Sequence, residues 1–72
     1  MTLSAAGRVR VAVLDPQGRV VRHLMDESQS AGWHRVAFDG KDDDGGLLRS
    51  GVYFLRVQAP SEQSTKAFVI LR

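Results

Sequence analysis

The chain has 72 residues, no cysteine, ten basic and eight acidic side chains, and a formal net charge of +2. That length allows one domain with a thin core, since a chain this short buries only about 60% of its unfolded surface, and the lack of cysteine excludes a disulfide framework. The arginines (Arg8, Arg10, Arg19, Arg22, Arg35, Arg49, Arg56 and Arg72) are scattered, which argues against the clustered basic face of a nucleic-acid binder, and no apolar run is long enough to cross a bilayer.

Arg8 to Leu14 alternates strictly, with Val9, Val11 and Val13 on one face, the period of a half-buried strand. Asp15-Pro16-Gln17-Gly18 predicts a turn: Asp caps with its side chain, Pro suits the second position, and Gly18 ends it where backbone freedom helps. Arg19 to Met25 then returns as the second arm of a hairpin. Asp26 to Gly32 is polar and carries no periodic signal, so it reads as a connection. Trp33 to Phe38 predicts a third strand, with Val36 and Phe38 as its apolar face and Trp33 covering an edge or closing an end of the sandwich. Gly51 to Ala59 is the fourth strand, richest in β-formers, with Tyr53, Leu55 and Val57 facing one way. Pro60 to Ser64 breaks the pattern, and Lys66 to Leu71 forms the last strand, Phe68 and Ile70 opposing Ala67, Val69 and Leu71. No helical period runs over three turns. Short strands joined by turn-rich loops predict an all-β sandwich of five to six antiparallel strands.

The chemistry-bearing residues are few. Asp39, Asp42, Asp43 and Asp44 around Gly40, Gly45 and Gly46 suggest a calcium loop, with Asp42 and Asp44 the candidate ligands. The EF-hand order needs Asp at the position of Gly40 and Glu at that of Gly51, and both are missing, so turn chemistry is the better account. His23 and His34 have no cysteine beside them and match no ligand spacing. No serine lies in a G-x-S-x-G context, and no pair of carboxylates suggests a catalytic site. No enzyme and no cofactor is therefore expected. Of Trp33, Phe38, Tyr53, Phe54 and Phe68, four are better read as core and core-edge residues than as a carbohydrate-stacking platform, because large aromatics dominate burial in small domains, and Trp33 is the one to test.

The stretch from Asp39 to Val57 runs through a glycine-rich acidic loop into Ser50-Gly51 and then straight into an aromatic strand. Together with Asp15-Pro16-Gln17-Gly18-Arg19-Val20-Val21 and Ala31-Gly32-Trp33-His34-Arg35-Val36, this order resembles the FlgD-type immunoglobulin-like domain of the flagellar hook-capping protein. It is also similar to the sorting and anchoring β-sandwiches at the C-termini of secreted bacterial proteins. The resemblance covers Arg8 to Arg72 and implies structural roles for Gly18, Gly32, Trp33, Asp39, Gly40, Gly45, Gly51 and Tyr53. It implies an immunoglobulin-like sandwich forming one domain over residues 1–72, at the C-terminal end of a longer protein.

By the same resemblance, the module is non-catalytic and structural, part of a secreted or cell-surface bacterial assembly. Alternatives are a sorting domain for an outer-membrane, type IX-like secretion machine, or a carbohydrate-binding accessory module. Met1 to Gly7 lacks the basic start and long apolar stretch of a signal peptide, so an export address is expected elsewhere. Related domains carry a further strand before the position of Arg8, of which Thr2 to Ala6 resembles only the tail. This predicts an open edge at Val9, Val11 and Val13, and a homo-oligomer or filament formed by strand pairing. The pairing is either symmetric, or head-to-tail with the Thr2 to Gly7 arm filling a vacancy in the next molecule.

Overall fold

A computed structural model of all 72 residues has six strands and no helix. They are β1 (Thr2–Leu3), β2 (Gly7–Leu14), β3 (Val20–Gln29), β4 (Gly32–Trp33), β5 (Gly51–Ala59) and β6 (Glu62–Ile70). Four of them form one antiparallel sheet in the order β3-β2-β5-β6, and β1 and β4 form a small second one. The architecture is an immunoglobulin-like all-β fold with one large layer and one reduced layer.

The alternation of β2 sets the core. Val9, Val11 and Val13 are 0%, 1% and 0% exposed, and they form the centre of two apolar clusters. One joins Leu3 to Val9 and Val11 beneath Val36, Leu55 and Val57. The other joins Val13 to Leu48 and Tyr53, with Phe38, Phe68 and Ile70 packed around them. The expected open edge at Val9, Val11 and Val13 is overturned: β2 is interior, paired with β3 on one side and β5 on the other. The edges of the large sheet are β3 and β6.

The turn after β2 follows its side-chain chemistry. Asp15 is buried, and its Oδ1 accepts the amides of Gln17 at 3.0 Å and Arg19 at 2.9 Å. Gly18 takes φ 88° and donates to the Asp15 carbonyl at 2.9 Å. The returning β3 does not stop at Met25 as expected but continues to Gln29. Its polar end is held by backbone pairing to Gly7–Arg10, with Arg8 Nε donating to Asp26 Oδ1 at 2.9 Å. Register shifts at Val11/Ala12 and Val13/Leu14 bulge the pair. Consecutive Leu24 and Met25 can therefore both pack on the core, which strict alternation forbids.

The third expected strand is mostly absent as a strand. Only Gly32–Trp33 pairs, with Leu3 opposite Gly32 and Thr2 opposite Trp33. Residues 34–38 continue without a partner strand, yet Val36 and Phe38 still turn inward while Arg35 and Ala37 face out. Trp33 does not close the core; it is 67% exposed. The N-terminal arm packs on its own domain: Leu3 is 3% exposed, and Met1 and His34 exchange backbone bonds of 2.9 and 2.6 Å. Within the single chain, the arm therefore fills its own domain. The last strand begins at Glu62 rather than Lys66, after a tight turn at Pro60–Ser61.

Candidate interaction surface

The two edges of the large sheet differ in how they are covered. The first half of β3 is capped by the acidic loop. The Asp43 amide donates to the Val21 carbonyl at 3.0 Å, and the Asp43 Oδ1 accepts the His23 amide at 2.9 Å. The His23 Nδ1 closes on Asp43 Oδ2 at 2.6 Å. One residue thus imitates a neighbouring strand, using its backbone as donor and its carboxylate as acceptor. Arg22 adds Nη1 bonds of 2.9 Å to Asp39 Oδ1 and to the Lys41 carbonyl. Beyond this cap, Met25–Gln29 has no backbone-to-backbone partner on its outer side, and neither does β6, whose only hydrogen bond with the arm's backbone is the Ser4 amide on Glu62 Oε1 at 2.9 Å.

The loop itself is built from turns. Asp42 Oδ1 accepts the amides of Asp44 at 3.0 Å and Gly46 at 2.8 Å, and the Asp42 amide donates to the Gly46 carbonyl at 2.8 Å. Asp39 Oδ1 accepts the Lys41 amide at 3.0 Å. Gly40 is favoured by its φ of 77°; an added Cβ would lie 2.6 Å from Arg72 Nη2, the end of a flexible side chain that can move aside. Arg72 straps this region, donating from Nη2 to the Gly40 carbonyl at 2.8 Å and from Nε to the Leu48 carbonyl at 2.6 Å, while its amide reaches Ser50 Oγ at 2.9 Å. Nothing in the residue types marked Arg72 for this role.

These bonds decide what the acids can do. No group of three or more His, Asp or Glu side chains converges to hold a metal ion. Asp42, one of the two candidate ligands, already spends Oδ1 on two amides of its own turn. Millimolar calcium is expected to leave the melting temperature within about two degrees. A saturated site would add about 2.7 kcal/mol at a hundredfold excess over its dissociation constant, so a rise of many degrees, reversed by chelator and by Asp42→Ala, would overturn this.

The carboxylates also set an acid dependence. Asp43 is held below the usual carboxylate range by the His23 amide and then the His23 ring. Asp39 is lowered mainly by the Lys41 amide, then by the Arg22 charge, and Asp26 by its hydrogen bond from Arg8. A carboxylate lowered on folding stabilises the fold above its unfolded value, and that contribution is lost as pH falls through the folded one. Thermal melts should therefore show stability falling below about pH 4. Asp43→Asn should lower stability at pH 7 and make the acid-induced fall shallower; an unchanged acid profile would refute the role of the clamp.

The remaining candidate residues sit in the frame of the fold. Tyr53 is 8% exposed, and its hydroxyl donates to the Arg49 carbonyl at 2.8 Å. A tyrosine near a strand start bonding to backbone a few residues upstream is a mark of immunoglobulin-like corners. Gly51 opens β5 nearly fully extended at φ 158°. Gly32 opens β4 at φ 119°, and Gly45 takes φ 87° in the bend of the acidic loop. The aromatics form no flat platform: Phe68 lies 6.1 Å from both Phe38 and Tyr53, leaving Trp33 the one strongly exposed ring. His34 bonds the Ser30 carbonyl through Nε2 at 2.6 Å. No serine hydroxyl bonds either histidine.

A groove of about 460 Å³ runs along the inner face beside β6, between Met1–Leu3 and Lys66, with Val36, Leu55 and Val57 in its lining. Open edges, a reduced second layer and a tyrosine-pinned corner define an immunoglobulin-like structural module. The chain belongs to the FlgD Ig-like domain family, whose model matches residues 1–63. That family is a structural one, and it points to an interaction module of the flagellar hook-capping kind. No curated protein and no solved structure matches the chain.

Proposed function

We propose that the chain is a non-catalytic interaction module of an extracellular or cell-surface bacterial assembly, a scaffold or filament subunit that joins protein partners through its sheet edges. The observation that carries this reading is β6, nine residues long and paired only to β5. Such an edge presents a row of free amides and carbonyls that a strand from another chain can complete. The family membership supports the structural role, and the packing supports the choice of edge, because β2 is enclosed and the first half of β3 is capped.

Amide hydrogen exchange at low and high protein concentration tests it. Association through the edges should add protection on alternate amides of β6 and of Met25–Gln29 and leave β2 unchanged. Association that protects neither edge, or no association at any concentration, would overturn the self-assembling form of this reading.

A further inference from the structure

The large sheet has four strands, each antiparallel to its neighbour, so its two edges, β3 and β6, run in opposite directions. A second copy displaced along the sheet therefore presents its β3 antiparallel to β6, with inner faces on the same side. Which residues can meet is set by the cap on β3. Asp43 occupies the Val21–His23 positions, leaving Met25–Gln29 as the free segment.

The inner-face residues of that segment are Met25, Glu27 and Gln29, opposite Val11, Val9 and Gly7 in their own sheet. Those of β6 are Phe68, Lys66 and Ser64, opposite Tyr53, Leu55 and Val57. One register sets Met25 against Phe68, Glu27 against Lys66 and Gln29 against Ser64. The outward pairs are then Asp26 with Ala67 and Ser28 with Thr65. Every inner pair matches in chemistry: thioether on aromatic, carboxylate on ammonium, amide on hydroxyl. Glu27 and Lys66 are both exposed in the single chain.

Symmetric pairing fails by the same comparison. Lys66 is the midpoint of Glu62–Ile70, so two fully overlapped β6 strands place Lys66 on Lys66. Glu27 is the midpoint of the free part of β3, so two copies of that edge place Glu27 on Glu27. Like charges directly opposite each other oppose pairing, and an inward-facing charge on an edge strand is a recognised guard against it. Here the guard on each edge is the complement of the guard on the other.

We propose that the partner of β6 is the Met25–Gln29 segment of a second copy of this chain, held in register by Glu27 and Lys66. The contact is heterologous, so it repeats from copy to copy as one continuous sheet, an open filament or a closed ring according to the rotation between copies. This inference rests on the edge reading above and adds the partner and the register.

The test is sedimentation velocity over a wide concentration range on the native chain, E27K, K66E, the double variant E27K/K66E, and an equimolar mixture of the two single variants. The native chain should form a ladder of species beyond the dimer. Each single variant should raise the concentration of half-association by about tenfold or more. The double variant and the mixture should return to native behaviour, because each restores opposite charges at every contact. Far-UV circular dichroism checks the fold, and E27Q and K66Q give milder replacements if a reversal fails to fold. A native chain that stays monomeric, growth that stops at the dimer, or a mixture that does not recover would overturn the proposal. Added protection on β6 amides that does not respond to Glu27 and Lys66 would overturn this pairing while leaving edge association standing.

Discussion

Tyr53→Ala should lower the free energy of unfolding by about 3 kcal/mol or more, the scale of a large aromatic deletion in a packed core. Tyr53 packs with Val13 and Leu48 under Phe38 and Phe68, and its ring stands 6.1 Å from that of Phe68. Its hydroxyl also ties the chain entering β5 to the Arg49 carbonyl. The two parts separate by substitution: Tyr53→Phe keeps the ring and removes the hydroxyl, so it should cost about 1 kcal/mol, leaving one carbonyl without its donor. Small domains sit near the low end of the 5–15 kcal/mol range, so the alanine variant should be largely unfolded at modest urea. Urea titrations of the three proteins give both differences. An alanine variant within about 0.5 kcal/mol of native would mean that the β5 corner is not part of the cooperative core.

What the residues reveal beforehand, and what they hide, follows from which physical signal each element leaves. The alternation of Val9, Val11 and Val13 marks a strand with one buried face, and the structure has that strand with that face inward. The same alternation is silent on whether the strand lies at the edge or in the interior. That is decided by pairing with residues far along the chain, such as Val57 opposite Val11. The ends of β3 and β6 were hidden for a related reason. Asp26–Gln29 and Glu62–Thr65 are polar because an edge strand faces water on most sides, and backbone pairing leaves no mark in hydrophobicity. In residues 34–38 the pattern was legible and the faces came out as read, yet no second strand lies alongside to make it a ladder.

The site was legible in the same uneven way. Aspartates among glycines announce a turn, and Asp42 makes one. That Asp43 reaches across to cap β3 depends on where the loop lands, and no local spacing encodes it. Lys66 and Glu27 carry a faint signal: each is a charge at a strand position whose neighbours two residues away lie on the core side. That signal becomes readable only once β6 and β3 are known to be the edges.

Leu3→Ala should cost about 3 kcal/mol, within the usual span for a buried leucine, and the cost should not depend on protein concentration. Leu3 is among the most deeply buried side chains, and it covers Val9 and Val11 from the second layer. That layer is thin: β1 and β4 are two residues each, so no neighbouring strand can slide in to refill the space. Concentration separates two architectures. If the arm packs on its own domain, as its bonds to His34 and its pairing with Gly32 and Trp33 describe, the variant loses the same stability in dilute and concentrated solution. If the arm were exchanged between copies, native stability would rise with concentration and the loss would rise with it. Trp33, exposed and directly opposite Thr2, gives a fluorescence probe at the junction. Denaturant midpoints of native and Leu3→Ala protein at two concentrations a hundredfold apart decide the matter. Parallel shifts fix the arm within one chain, and a native midpoint that climbs with concentration would place it in a neighbour's core.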